Sequence, residues 1–79
     1  MVDARVILYS RDGCHLCDAA RRVVRVISER RGATWAEVDV DSDADLTARF
    51  GELVPVVVVD GEQVGYYRID PARLEAALG

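Results

Sequence analysis

Two cysteines separated by two residues are the side chains of this 79-residue chain best suited to chemistry. They are Cys14 and Cys17, in the stretch Cys14-His15-Leu16-Cys17. A disulfide between them would close a very short loop and would restrict the unfolded chain very little. The pair is therefore a poor structural staple. A C-x-x-C pair beside a β-α-β pattern is typical of thiol–disulfide exchange.

The cysteines lie where a predicted strand meets a predicted helix. Unpaired N–H groups at a helix N-terminus stabilise a thiolate, so Cys14 at the tip is expected to be the exposed nucleophile. Cys17, one turn further, is expected to be buried and to resolve the mixed disulfide. His15 either supports the Cys14 thiolate when protonated or faces solvent, and the solvent-facing role is favoured. Nearby charges of Asp12 and Asp18 oppose a thiolate, whereas Arg11 favours one.

Other uses of the two thiols stay open as alternatives. A closed zinc site needs four ligands, and the chain has two cysteines and one histidine, which lies inside the motif. An iron–sulfur cluster needs four thiolates, so a dimer or an external thiol would have to complete it. Two inert buried cysteines are a third alternative. A non-catalytic binding module that presents the surface beside Pro55 is a fourth.

Short elements follow one another without a linker or repeat, which predicts one domain over residues 1–79. A hydrophobic fraction of 51% and a charged fraction of 30% are typical of a globular chain. The predicted elements are strands at 5–9, 34–40, 54–59 and 63–67, a helix from Leu16 that stops at Gly32, a helix capped by Ser42 or Asp43 that ends at Gly51, and a helix opened by Asp70-Pro71. This β-α-β-α-β-β-α order predicts an α/β fold with a four-stranded mixed sheet flanked by helices.

The third and fourth strands carry further signals. Asp60-Gly61 predicts a tight hairpin between them. The Val54-Pro55 bond lies between a helix and a strand, a setting that raises the chance of a cis peptide. Tyr66 and Tyr67 are expected to point to opposite faces of the sheet, as neighbouring residues of a strand do. Trp35 is expected to pack against a helix or the sheet edge.

Charge and hydropathy exclude several classes of partner. The net charge is −4 and the pI about 4.8, without the basic stripe of a nucleic-acid-binding protein. The longest apolar run, Val54 to Val59, is far shorter than the roughly 20 residues of a membrane span. The first residues lack the pattern of a signal peptide. We therefore expect a cytoplasmic monomer that binds neither nucleic acid nor membrane.

Three stretches resemble the glutaredoxin family of the thioredoxin superfamily, and the chain is similar to a group of short bacterial glutaredoxin-like proteins. Residues 9–17, Tyr-Ser-Arg-Asp-Gly-Cys-His-Leu-Cys, resemble the family's Y-S-K-x-x-C-P-Y-C. Leu53-Val54-Pro55 resembles T-V-P, whose proline is cis, and Asp60-Gly61 resembles the hairpin that follows. The resemblance implies a thioredoxin-like fold and a small thioltransferase that cycles between dithiol and disulfide, with Cys14 as nucleophile and Cys17 as resolving thiol.

The same resemblance implies a substrate groove. Pro55 would shape it, the Val54 backbone would pair with an extended substrate, and Arg11 would hold a carboxylate of glutathione or another partner. His15 and Leu16, in place of the family's Pro-Tyr, and Gly65 and Tyr66, in place of its Gly-Gly, would also contribute to substrate binding. The expected substrates are a disulfide-containing protein or a glutathione mixed disulfide. No bound cofactor is expected, and the electron donor would be glutathione, as a co-substrate, or thioredoxin reductase.

Overall fold

Four short strands form one mixed sheet that three helices cover. The computed structural model describes residues 3–79, so the first two residues of the predicted domain lie outside it. The elements are β1 (Val6–Ser10), α1 (His15–Arg31), β2 (Trp35–Asp39), α2 (Ala44–Phe50), β3 (Val56–Val59), β4 (Glu62–Tyr66) and α3 (Pro71–Ala77), with a 3-10 turn at Val40–Ser42 before α2. The predicted order of elements is confirmed.

Strand order determines which segments share an edge of the sheet. The order is β2-β1-β3-β4, with β1 parallel to β2 and antiparallel to β3, and with β3 antiparallel to β4. Tyr9 lies opposite Val56, and Val56 lies opposite Tyr66. The end of β1, the start of β3 and the end of β4 therefore meet at one edge, where the loop that carries Cys14 also begins.

Each face of the sheet has its own apolar core. On one face, the strands pack against α1 and α3 through Val6, Leu8, Val24, Val57 and Leu74, all fully buried. The opposite face packs against α2, and its buried members are Val40, Phe50 and Val56. Packing on both faces explains the unbroken apolar sequence of β3, in which Val56, Val57 and Val59 are buried and Val58 is half-buried.

The ends of the helices follow local capping chemistry. Cys14 is the N-cap of α1, and Gly32 ends it in the left-handed conformation at φ 66°. Of the two predicted caps of α2, Asp43 is the one used, and its side chain accepts the Asp45 N–H. Asp70 caps α3 in the same way. These helix boundaries match the sequence expectations, whereas β1 and β4 are displaced by one residue from the predicted positions. Strand β2 is one residue shorter than predicted at each end, and β3 begins at Val56 rather than at Val54, because the cis Val54-Pro55 segment lies outside the strand.

The expectation that Tyr66 and Tyr67 point to opposite faces is wrong. Strand β4 ends at Tyr66, and Tyr67 takes a left-handed backbone with φ 63°. The alternation of a strand therefore stops between them, and the two ring centroids lie 5.9 Å apart. Trp35 packs against the α1 and α3 core, as expected. Among residues 3–79, no helix has the length and apolar character needed to cross a membrane.

Candidate redox site

Cys14 is the N-cap residue of α1 and is partly exposed. The loop before it turns at Gly13, whose φ of 76° is a left-handed value that glycine adopts without strain. Cys14 then has an extended backbone, φ −93° and ψ 113°, as an N-cap residue requires. Its Sγ accepts the backbone N–H of Cys17 at 3.2 Å. One of the four unpaired N–H groups at this helix end is thus directed at the sulfur.

Cys17 lies one turn inside α1 and is fully buried. Both cysteines are free thiols. Burial, followed by the hydrogen bond with Cys14, raises the pKa of the Cys17 thiol to about 11. The backbone of Arg11 and the charge of Arg21 act in the opposite direction but do not offset the burial. In the reduced protein Cys17 is therefore a neutral thiol, and Cys14 is the one that solvent reaches.

An open cleft of about 490 Å³ adjoins Cys14. It is lined by Ser10, Arg11, Asp12, Gly13, Cys14, His15, Asp18, Arg21, Glu37 and Asp39. Two arginines and four carboxylates make this lining net negative. Arg21 binds Glu37 through two nitrogens at 2.6 and 2.7 Å and Asp18 at 2.8 Å. The Arg21 guanidinium holds the pKa of Glu37 below its ordinary value, and the hydrogen bond from the Ser10 hydroxyl adds to this effect. Burial raises the pKa of Glu37 but is outweighed.

Arg11 reaches this cleft with its guanidinium already engaged. Nε and Nη2 donate to the two carboxylate oxygens of Asp41 at 2.9 and 3.0 Å, and Nη1 donates to the Gly51 carbonyl at 2.9 Å. The guanidinium lowers the pKa of Asp41 in return. A Cβ at Gly51 would lie 3.1 Å from Nη2 and 2.5 Å from the Thr47 carbonyl oxygen, so this close approach needs glycine.

The Val54-Pro55 segment lies at the same edge of the sheet as the Cys14 loop. Its peptide bond is cis, in agreement with the expectation, and Pro55 is buried. The Tyr67 N–H donates to the Pro55 carbonyl at 2.8 Å and to the Leu53 carbonyl at 3.3 Å. Within residues 3–79, the N–H and carbonyl of Val54 make no backbone hydrogen bond. These two backbone groups of Val54 are therefore left without a backbone partner in the described part of the chain.

The remaining predicted residues are divided between two regions. His15 is exposed and lines the cleft, whereas Leu16 lines a second depression with Tyr67 and Ile69. Tyr66, at the end of β4, is 52% exposed. Gly65 is half-buried, and a Cβ there would meet only Ile69, at an ordinary 3.6 Å. The space around Gly65 therefore does not require a glycine.

Sequence reasoning did not identify the wall of the cleft. Glu37 and Asp39 alternate with Val38 along β2, and the parallel pairing of β1 with β2 places Asp39 opposite Ser10. The sequence signal for this wall was a pair of acidic residues on one side of a half-buried strand. That these residues lie near Cys14 could be recognised only from the strand order, which places β2 beside β1. Among residues 3–79, no group of three or more His, Cys, Asp or Glu side chains is arranged to hold a metal ion.

Comparison with known proteins places the chain among glutaredoxin-like sequences. The glutaredoxin-like domain family (DUF836) matches residues 5–79. Protein Mb0520 of Mycobacterium bovis, named as uncharacterized, is 34% identical over an alignment that covers 94% of this chain and 81% of that protein. This match supports the resemblance noted in the sequence.

Solved structures give the same result. Protein XcR50 of X. campestris is 35% identical with a TM-score of 0.75, over 92% of this chain and 93% of the other. Ne2328 of Nitrosomonas europaea is 26% identical with a TM-score of 0.80, and the match covers 100% of this chain and 96% of the other. Glutaredoxin C1 of Populus tremula x tremuloides is 22% identical with a TM-score of 0.67, and the match covers 95% of this chain and 83% of the other. At this identity the match shows only that the two chains share the thioredoxin-like fold.

Proposed function

The chain belongs to the glutaredoxin-like domain family, as a thiol-oxidoreductase-like module, and we propose that it reduces disulfides by cycling Cys14 and Cys17 between dithiol and disulfide. The observation that carries the proposal is the unequal setting of the two sulfurs. Cys14 is partly exposed and its Sγ accepts the Cys17 N–H, whereas Cys17 is buried one turn below it. Such a pair supplies one thiol for attack and keeps the other for resolution.

In the first step, the Cys14 thiolate attacks one sulfur of a substrate disulfide. The substrate S–S bond breaks, a new S–S bond joins Cys14 to one half, and the other half leaves as a thiolate that takes a proton from solvent. The Cys17 N–H stabilises the attacking sulfur through a charge-assisted hydrogen bond. The Val54 backbone holds an extended substrate beside Cys14 through its unpaired N–H and carbonyl groups.

In the second step, Cys17 gives up its proton and attacks Cys14 Sγ. The mixed disulfide breaks, the second half of the substrate leaves as a thiol, and the protein holds a Cys14–Cys17 disulfide. Because the pKa of Cys17 is raised to about 11 in the dithiol state, this deprotonation is expected to accompany the attack. The substrate has then gained two electrons and two protons. Two glutathione molecules or a protein dithiol restore the protein.

The same substitution at the two cysteines tests the proposal, because it predicts opposite results. Cys17→Ser should stop after the first step and accumulate a mixed disulfide, which mass spectrometry detects as a covalent adduct with a glutathionylated peptide. Cys14→Ser should form no adduct and reduce no substrate. A Cys17→Ser protein that forms no adduct, or a Cys14→Ser protein with wild-type turnover, would overturn the proposal.

A coupled assay then identifies the electron donor. The oxidised protein is supplied either with NADPH, glutathione reductase and glutathione, or with NADPH and thioredoxin reductase, and NADPH consumption is followed. We propose glutathione as co-substrate on the family resemblance. The negative lining of the cleft and the engagement of Arg11 by Asp41 favour a slow reaction with this anionic thiol. If the oxidised protein is reduced faster by thioredoxin reductase alone, that enzyme and not glutathione is the electron donor of the cycle.

A further inference from the structure

A groove between α1 and the segment from Tyr67 to α3 begins at the cysteine motif. It consists of two depressions, of about 190 and 390 Å³, that share Val23. The first starts at Leu16, between the two cysteines, and has Tyr67 and Ile69 as its other wall. The second continues past Val26 to Pro71. We call this continuous surface the α1–α3 groove.

The floor of the α1–α3 groove is apolar and open to solvent. Three large hydrophobic side chains are exposed in the described part of the chain, and two of them, Val26 at 46% and Tyr67 at 54%, line the groove. A single exposed apolar side chain is ordinary in a folded protein. A continuous apolar strip bordered by charges is typical of an interaction surface.

The rim of the α1–α3 groove is positive in a protein whose net charge is −4. Its charged members are Arg22, Arg30, Arg68 and Glu75, a net charge of +2. Glu75 lies 3.7 Å from Arg30 and 3.6 Å from Arg31, so its carboxylate is already neutralised. Arg22 and Arg68 form no ion pair within residues 3–79, unlike Arg11 and Arg21 beside the cleft.

We propose that the α1–α3 groove docks an acidic, amphipathic segment of a partner protein, which brings that partner's disulfide or dithiol to Cys14. The inference rests on the proposed function and adds the class of partner. Apolar side chains of the segment would cover Val26 and Tyr67, and its carboxylates would pair with Arg22 and Arg68. The groove reaches Leu16, so a segment bound along it ends beside the cysteine motif.

Binding of peptides that contain no cysteine tests the groove separately from the redox chemistry. The first probe is a fluorescein-labelled peptide of leucine, alanine and glutamate with an amphipathic pattern, and the second has lysine in place of glutamate. Fluorescence anisotropy of the wild-type protein should show at least about fivefold tighter binding of the glutamate peptide, the scale expected for two exposed charge pairs. High salt should reduce this difference.

Two double variants with the same change of charge locate the site. R22E/R68E should weaken binding of the glutamate peptide about tenfold. R25E/R73E is the matched control, because Arg25 and Arg73 are exposed, lie outside the groove and form no ion pair within residues 3–79. It should change the affinity less than twofold. Val26→Asp should weaken both peptides, because it places a charge on the apolar floor.

Three results would overturn the inference. The first is equal binding of the two peptides, or binding of neither. The second is an equal loss of affinity in the two double variants. The third is a concentration-dependent dimer in sedimentation that Val26→Asp abolishes, since a second copy would then occupy the groove. Reduction of hydroxyethyl disulfide by the wild-type protein is measured in parallel. Normal reduction without peptide binding would reject docking in the groove and leave the proposed function intact. Peptide binding without reduction would reject the proposed function and leave docking in the groove intact.

Discussion

The guanidinium of Arg11 holds the carboxylate of Asp41 by two hydrogen bonds, at 2.9 and 3.0 Å. A third bond, to the Gly51 carbonyl, ties the same group to the end of α2. The 3-10 turn that carries Asp41 is thereby joined to the loop that leads to Cys14. An internal carboxylate thus occupies the arginine that the family resemblance assigns to a carboxylate of glutathione or another partner.

Removing this internal carboxylate should improve the binding of anionic substrates. In Asp41→Asn, the freed Arg11 is expected to lower the KM for a glutathione mixed disulfide about two- to fivefold, the range of an exposed ion pair. The matched control is Asp45→Asn, since Asp45 is exposed on α2 and forms no ion pair within residues 3–79. Steady-state kinetics measure both variants. An equal fall in KM in the two variants would indicate a general effect of charge and contradict a role for Arg11.

The buried thiol should titrate far above the usual range of cysteine. We expect the 13Cβ resonance of Cys17 in the reduced protein to titrate with a midpoint near pH 11, because burial disfavours the thiolate. Since this pKa is raised above the unfolded value of about 9, the contribution of Cys17 to stability is complete below pH 9 and is lost as pH rises through 11. Dispersed amide resonances at each pH serve as the folding control. A midpoint at or below 9 would disprove the prediction.

The ion pair between Arg21 and Glu37 should stabilise the protein at neutral but not at acid pH. Its hydrogen bonds lower the pKa of Glu37 below the ordinary 4.5, so the contribution is present above pH 4.5 and is lost as pH falls through the lowered value. Glu37→Gln should therefore reduce the free energy of unfolding by about 1 kcal/mol at pH 7 and by less near pH 3.

Urea unfolding at the two pH values measures this difference. Glu52→Gln is the control, because Glu52 is exposed and has no ion-pair partner within residues 3–79. Its free energy of unfolding should stay within about 0.5 kcal/mol of the wild type at both pH values. A loss in Glu37→Gln that is as large at pH 3 as at pH 7 would show that the effect does not come from the carboxylate charge.

Neighbouring tyrosines should respond in opposite ways to replacement by glycine. Tyr67→Gly relieves a left-handed backbone at φ 63° and should raise the free energy of unfolding by up to about 1 kcal/mol. Tyr66→Gly introduces glycine at the end of β4 and should lower it by about 0.5 to 1 kcal/mol. Chemical denaturation of both variants provides the comparison. A clear loss of stability in Tyr67→Gly would mean that its side chain contributes more than the backbone strain costs.

Much of this fold follows from signals that act over a few residues. The apolar period of α1, its end at Gly32, the tight turn at Asp60-Gly61 and the cap at Asp70 each depend on neighbours in the chain. The positions of Cys14 and Cys17 depend on the same kind of signal, because a spacing of three residues at a helix start places one residue at the tip and the other a turn inside. The end of β4 was missed, since no local pattern marks Tyr67 as left-handed.

The amino-acid sequence by itself determined the elements, their order and the pair of thiols. Only the tertiary structure decided what surrounds those thiols. The contacts of Arg21 with Glu37 and of Arg11 with Asp41 join residues 16 and 30 positions apart, and they depend on strand register and on how α1 lies over the sheet. The α1–α3 groove likewise needs α1 and the start of α3 side by side. Such pairings are selected by burial of the whole core, which no short segment encodes.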